Sequence, residues 1–198
     1  MAFYLSVMTF GTLFIALVNI LLSTAPSWYY ALIASFFSTV LAFALDGCIA
    51  LLVHFLPKAL FGVDNPRYWV SERAQKFYQK LNVKAWKDKV WELGGLGGFS
   101  KKHLNQPLSS HYVERFIIEC NKGVLTHRLS YAVGFLVMPM LPNVCAFTVA
   151  FPVALVNLYL NILPTIVLRY NTSGLLRLFE RLKQKEERRK RVDQVVKA

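Results

Sequence analysis

Charge is what this sequence lacks over long stretches. Asp46 is the only Asp, Glu, Lys or Arg in residues 1–57, and residues 129–168 contain none. In a chain of 198 residues that is 55% hydrophobic and 14% aromatic, such silent stretches argue against an ordinary soluble domain. The N-terminus has neither the basic region nor the small-residue cleavage site of a secretory leader. A second apolar stretch follows directly, so the segment is expected to be retained as a membrane anchor. Cysteine is scarce. Cys48, Cys120 and Cys145 are an odd set without close pairing or metal-ligand spacing, which predicts neither a disulfide nor a zinc site. The run Gly94-Gly95-Leu96-Gly97-Gly98 lacks the Gly-Lys-Ser/Thr of a phosphate loop and reads as a hinge.

What is present is basic and segregated. Of the 23 Lys and Arg residues, 13 fall within residues 58–128 and 10 within residues 169–197. A hydrocarbon core about 30 Å thick takes roughly 20 apolar helical residues, so the first silent block is long enough for two crossings. Ser23-Thr24-Ala25-Pro26-Ser27 breaks it, which predicts spans over residues 3–22 and 28–56. The second block would run to about 60 Å as one straight helix and must fold back. Leu141-Pro142-Asn143 is the natural turn, giving arms over residues 129–141 and 144–168. The first arm is short for a crossing, so it either begins earlier or forms half of a re-entrant hairpin. Neither turn carries Lys or Arg, so both belong outside, with the basic middle segment and C-terminus cytoplasmic.

The expected fold class is therefore an all-α, polytopic membrane protein with about four membrane-embedded helices in two hairpins plus cytosolic interfacial helices. Its segments are an N-terminal transmembrane hairpin (1–57), a cytosolic interfacial segment (58–128), a second transmembrane or re-entrant hairpin (129–168) and a basic amphipathic C-terminal helix (169–198). In the middle segment Trp69, Trp86, Trp91, Phe61, Phe77, Tyr78 and Phe99 interleave with lysines, a pattern suited to lipid headgroups. Membrane lipids are the expected partners; nucleic acid is not, because anchors on either side make headgroups the nearer anion. Ser71 caps a helix that Asn82 stops, and a short helix is expected around residues 86–91. Over residues 111–128 Tyr112, Phe116, Cys120 and Val124 recur at four-residue spacing, with Val113 and Ile117 beside them, as in an amphipathic helix. Glu119 lies at one margin of that stripe and His127 within it.

Glu72, Lys76-Phe77, Lys84-Ala85-Trp86-Lys87-Asp88-Lys89, Phe99-Ser100-Lys101-Lys102-His103-Leu104, Ile117-Ile118-Glu119, His127 and Arg169-Tyr170-Asn171 occur in that order. Together they resemble the glycosyl-4,4'-diaponeurosporenoate acyltransferases, small bacterial membrane enzymes of carotenoid biosynthesis. The similarity runs over residues 72–188, with Asn161 also in register. The resemblance implies a transferase of the bacterial cell membrane that moves a fatty acyl group from a thioester donor, acyl-coenzyme A or acyl carrier protein, to a hydroxyl of a glycosylated isoprenoid or other glycolipid. It implies no permanently bound cofactor. The chain departs from the family in its N-terminal half, where two long spans replace a shorter segment. It also lacks the His followed four residues later by Asp of the glycerol-phosphate acyltransferases.

Acyl transfer to a hydroxyl needs a base for the alcohol proton and a donor for the developing oxyanion. The resemblance makes His127 and His103 the candidate bases, His127 preferred for its place at the membrane border, and Glu119 an orienting or sugar-binding group. The bland reading of Glu119 is a helical pair with Arg115 or Lys122. Arg169, Tyr170, Asn171, Trp86, Lys87 and Glu72 are the candidate substrate-binding residues. Border anchoring is the plain alternative for Arg169 and Tyr170, and a solvated helix face for Glu72. Cys120 reads as a small buried hydrophobe. Asp46, inside a span, is expected to contact a polar group of the second block such as Asn157 or Asn161. From another class, a non-catalytic membrane scaffold or headgroup-binding protein fits the basic tail and interfacial tryptophans equally well.

Overall fold

The computed structural model describes residues 2–90, 104 and 107–197, and these divide into two compact units. The first comprises residues 1–55 and 125–165, whose only formally charged side chains are Asp46 and Arg128. The second comprises residues 56–124 and 166–198 and holds every other Lys and Arg. Helices are the only regular structure among the described residues.

In the first unit α1 (Ala2–Leu21) and α2 (Trp28–Phe55) form the expected N-terminal hairpin. Ser23 takes a left-handed conformation in the turn (φ 51°), and Ser27 opens α2 by accepting the Tyr30 N–H at 3.3 Å. Asn19 ties the turn together. It is buried, donates to the carbonyls of Ile15 and Thr148, both at 2.8 Å, and accepts from the Thr24 hydroxyl at 2.6 Å. The face of α2 that packs inward carries Ala31, Ala34, Ser35, Ser38 and Ala42. Its outward face carries Ile33 and Phe36, 64% and 66% exposed, with Leu32, Phe37 and Val40 beside them. Small and polar side chains inside with large apolar ones outside invert the rule for soluble proteins and match helices packed in lipid.

The first arm of the second apolar block begins earlier than residue 129, one of the two courses that its shortness allowed. α5 (Ser110–Val133) enters it without a break and passes into a 3₁₀ helix at Gly134–Met140, where Pro139 removes a backbone donor. The chain reverses at Leu141-Pro142. A single helical turn, α6 (Asn143–Cys145), and a π-helical stretch (Ala146–Ala150) then lead into α7 (Phe151–Lys197). α7 runs unbroken through Pro164 and Arg169 into the basic tail. Among the described residues two helical runs are long and apolar enough to cross a bilayer, Trp28–Phe55 and Ala146–Val195, while α1 is apolar over the shorter stretch Leu5–Leu21. Two clear spans, not four, are therefore supported. The core of this unit joins Ile15, Ala34 and Ala42 to Val137, Val149 and Val153.

In the second unit Ser71 caps α3 (Glu72–Lys80) by accepting the Ala74 N–H at 3.3 Å, and left-handed Asn82 (φ 48°) ends it. The next helix starts earlier than expected, as α4 (Val83–Trp86) followed by a 3₁₀ turn at Lys87–Lys89. Trp91, Phe99 and the glycine-rich run lie outside the described residues. The predicted stripe of α5 is buried here through Val113, Phe116, Ile117, Cys120 and Val124. Phe61, fully buried in the 3₁₀ turn Lys58–Phe61, packs on Tyr68 with ring centroids 6.0 Å apart.

Candidate active site

Within the first unit, three helices bring one carboxylate, two amides and an imidazole together. Asp46 of α2 accepts from the Asn161 Nδ2 of α7 at 3.0 Å and, at a longer 3.4 Å, from Asn157 Nδ2. Asn161 Nδ2 also lies 3.0 Å from the Asn157 carbonyl oxygen and 3.3 Å from its Oδ1. An amide nitrogen surrounded by three oxygens fixes which end of Asn161 is which. Its oxygen therefore faces His127 of α5, and Nδ1 of that ring stands 2.8 Å away. Only a protonated Nδ1 donates to a carbonyl oxygen, so the neutral ring carries its lone pair on Nε2.

Helix packing makes this possible. Gly134 follows His127 by seven residues on one stripe of the same helical run, and a Cβ placed there would come within 3.3 Å of the Ala154 Cα and 3.1 Å of Asn157 Nδ2. The missing side chain lets the two segments close until the amides of α7 reach across. Asp46 would otherwise be an isolated charge in an apolar layer, costing about 2.5 to 3.5 kcal/mol on insertion scales. One turn beyond His127, Ser130 is buried with its hydroxyl unpartnered.

The contact of Asp46 with Asn157 and Asn161 matches the expectation from sequence. What sequence reasoning missed is that Asn161 continues the connection to His127. The signals were an asparagine inside a charge-free stretch and the place of Asn161 in the family pattern.

The second unit holds the other candidates. Arg169 Nε donates to the Tyr78 hydroxyl and Nη2 to the Trp69 carbonyl, each at 3.2 Å. Lys87 Nζ donates to Asn171 Oδ1 at 3.2 Å and lies 5.8 Å from the centre of the Tyr170 ring. Trp86 Nε1 donates to the Leu81 carbonyl at 3.0 Å, and Glu72 is exposed in the first turn of α3. Glu119 pairs with Lys122 at 3.7 Å, the helical pairing that its spacing allows. Lys122 is buried and stands 5.9 Å from the Phe61 ring centre. His103 lies outside the described residues.

Among ionisable groups, Glu186 is held below the usual carboxylate range, chiefly by the hydrogen bond from the Ser110 hydroxyl and then by that from the Ser110 N–H. It thereby satisfies a free amide in the first turn of α5. No group of three or more His, Cys, Asp or Glu side chains among the described residues has metal-binding geometry. Two shallow depressions mark the surface of the first unit, one on the outer face of α2 around Phe36 and Phe37, the other between the turn at Ser23 and Pro142. Neither is lined by His127.

Searches of curated proteins and of solved structures each return no significant match. The profile of the glycosyl-4,4'-diaponeurosporenoate acyltransferases matches residues 57–181, a stretch that includes Tyr78, Glu119, His127, Asn161 and Arg169 and leaves Asp46 outside. With more than half its length matched, the chain belongs to the glycosyl-4,4'-diaponeurosporenoate acyltransferase family.

Proposed function

We propose that the protein is a membrane O-acyltransferase that moves a fatty acyl group from a thioester, acyl-coenzyme A or acyl carrier protein, to a hydroxyl of a glycosylated isoprenoid or other glycolipid. The observation that carries this reading is the series Asp46, Asn161, His127 in a chain of an acyltransferase family. His127 Nε2 takes the proton of the acceptor hydroxyl as its oxygen attacks the thioester carbonyl. The resulting imidazolium returns that proton to the departing thiolate. Asn161 accepts from Nδ1–H throughout and holds the ring in one tautomer, and Asp46 stabilises the positive ring through the amide.

His103 and Glu119 are further proposed catalytic residues, Glu119 as a contact for the sugar while salt-bridged to Lys122. Arg169, Tyr170, Asn171, Trp86, Lys87 and Glu72 are the proposed substrate-binding residues. The protein is read as multi-pass in a bacterial cell membrane with its basic segments cytoplasmic, which puts the thioester donor and the lipid-borne alcohol on one face.

The test is direct. Purified protein is supplied with labelled acyl-coenzyme A, or acyl carrier protein, and a membrane lipid extract, and a new ester is sought by mass spectrometry. His127→Ala is expected to lower the rate by about 10²- to 10⁴-fold, the usual contribution of a positioned base. No ester with either donor, or an undiminished rate from the variant, would overturn the proposal.

A further inference from the structure

Arg169 is held by one edge of its guanidinium and not by the other. The edge formed by Nε and Nη2 is filled by the Tyr78 hydroxyl and the Trp69 carbonyl. Nη1, on the far side of the group, is buried and has no acceptor. A buried donor left without an acceptor costs about 1 to 3 kcal/mol, and more when the group is charged. Neutral protein oxygens orient this cation without neutralising it. The ion pair of Glu119 with Lys122 leaves Arg169 out.

The neighbourhood has the same sign. The 3₁₀ turn Pro66–Tyr68 beside Trp69 carries Arg67, and α3, which supplies Tyr78, carries Arg73, Lys76 and Lys80 against a single acid, Glu72. Trp69 is 56% exposed, so the cluster lies at the protein surface. Asn171 does not belong to this cradle. It stands two residues from Arg169, about 200° around the helix, and already accepts from Lys87.

We propose that the free Nη1–Nη2 edge of Arg169 is a phosphate-binding site that grips two oxygens of a phosphomonoester or phosphodiester. Two parallel N–H donors match two phosphate oxygens, and such charge-assisted pairs are about twice as strong as neutral ones. Tyr78 accepts from Nε and so keeps its own proton to give, a further donor in the same cluster. A phosphate of the soluble thioester donor and the phosphate of a lipid headgroup present the same chemistry. The inference deepens the substrate-binding role given to Arg169 above, but phosphate binding is measurable without turnover.

Full-length protein in non-ionic detergent is titrated calorimetrically with coenzyme A against pantetheine, and with phosphatidic acid against diacylglycerol in mixed micelles. At least tenfold tighter binding of the phosphate-bearing member of either pair is expected, and the pair that shows it identifies the source. Arg169→Gln should abolish the preference, Arg169→Lys should lose most of it, and Arg177→Gln, an exposed change on the same helix, should keep it. Equal affinities within both pairs would overturn the inference on the unaltered protein, whatever the variants do. So would a preference that Arg177→Gln weakens as much as Arg169→Gln, which marks diffuse attraction. Acyl transfer with no phosphate preference would sink this inference alone, and the preference without acyl transfer would sink only the catalytic reading.

Discussion

At the scale of single residues, His127 depends on a group it does not touch. The imidazole contacts Asn161, and Asn161 contacts Asp46, so the carboxylate acts through an amide. Asp46→Asn can keep an oxygen on Asn161 Nδ2 while losing the charge that favours the imidazolium. A fall in kcat of about 10- to 10³-fold with little change in KM is expected, within the range of a base whose support is removed. Steady-state kinetics of the variant, with His127→Ala for scale, check this. Asn161→Leu removes both the acceptor of Nδ1–H and the donor to Asp46, and its kcat should fall at least as far as that of Asp46→Asn.

Elements are held by contacts of two different kinds. The 3₁₀ helix Gly134–Met140 approaches α7 closely because Gly134 has no side chain, and the atoms in the way include the Ala154 Cα, which cannot swing aside. Gly134→Ala should cost about 1 to 3 kcal/mol in thermal or denaturant unfolding in detergent, the usual penalty for overpacking. Gly174→Ala in α7 meets nothing within 4 Å and should be neutral or stabilising by up to about 1 kcal/mol.

The start of α5 is held electrostatically. Because the Glu186 pKa is lowered in the folded protein, its contribution is fully present above the ordinary carboxylate value and disappears as pH falls through the folded one. The protection factors of the amides in the first turn of α5 should therefore fall on acidification below the ordinary carboxylate range, and in Glu186→Ala they should be low at every pH.

Across the whole molecule, charge follows the division into units. One unit has only Asp46 and Arg128, and the other has the rest of the Lys and Arg residues. The exposed apolar face of α2 needs lipid, whereas the basic unit favours water and anionic headgroups. The protein should stay in the membrane pellet through a high-salt wash and leave it only with detergent, as fractionation and immunoblotting would show. Release by salt alone would mean that surface charge holds it there. If the basic unit is cytoplasmic, a thiol introduced by Lys84→Cys should react with an impermeant reagent only after the membrane is opened.

The sequence by itself determined the helices whose causes are local. α1 and α2 follow from a block with Asp46 as its one charge, broken at Ser23 to Ser27, α3 from its Ser71 cap and Asn82 stop, and the first half of α5 from apolar residues four apart. Such signals lie within a few residues of what they control, so the order of the chain carries them. The 3₁₀ course of Gly134–Met140 and the continuity of α7 through Arg169 were not legible, because helix packing outweighs the local tendencies of glycine, proline and charge. In the series Asp46, Asn161, His127 the first contact was expected of an ionisable group inside a span, whereas the continuation to His127 was decided by tertiary structure alone. Its members lie 34 and 115 residues apart, and no periodicity reaches that far. The physical reason is desolvation: a carboxylate within apolar helices must find donors, and only the packing of α2 and α5 on α7 determines whose amide answers and which nitrogen of the histidine is left basic.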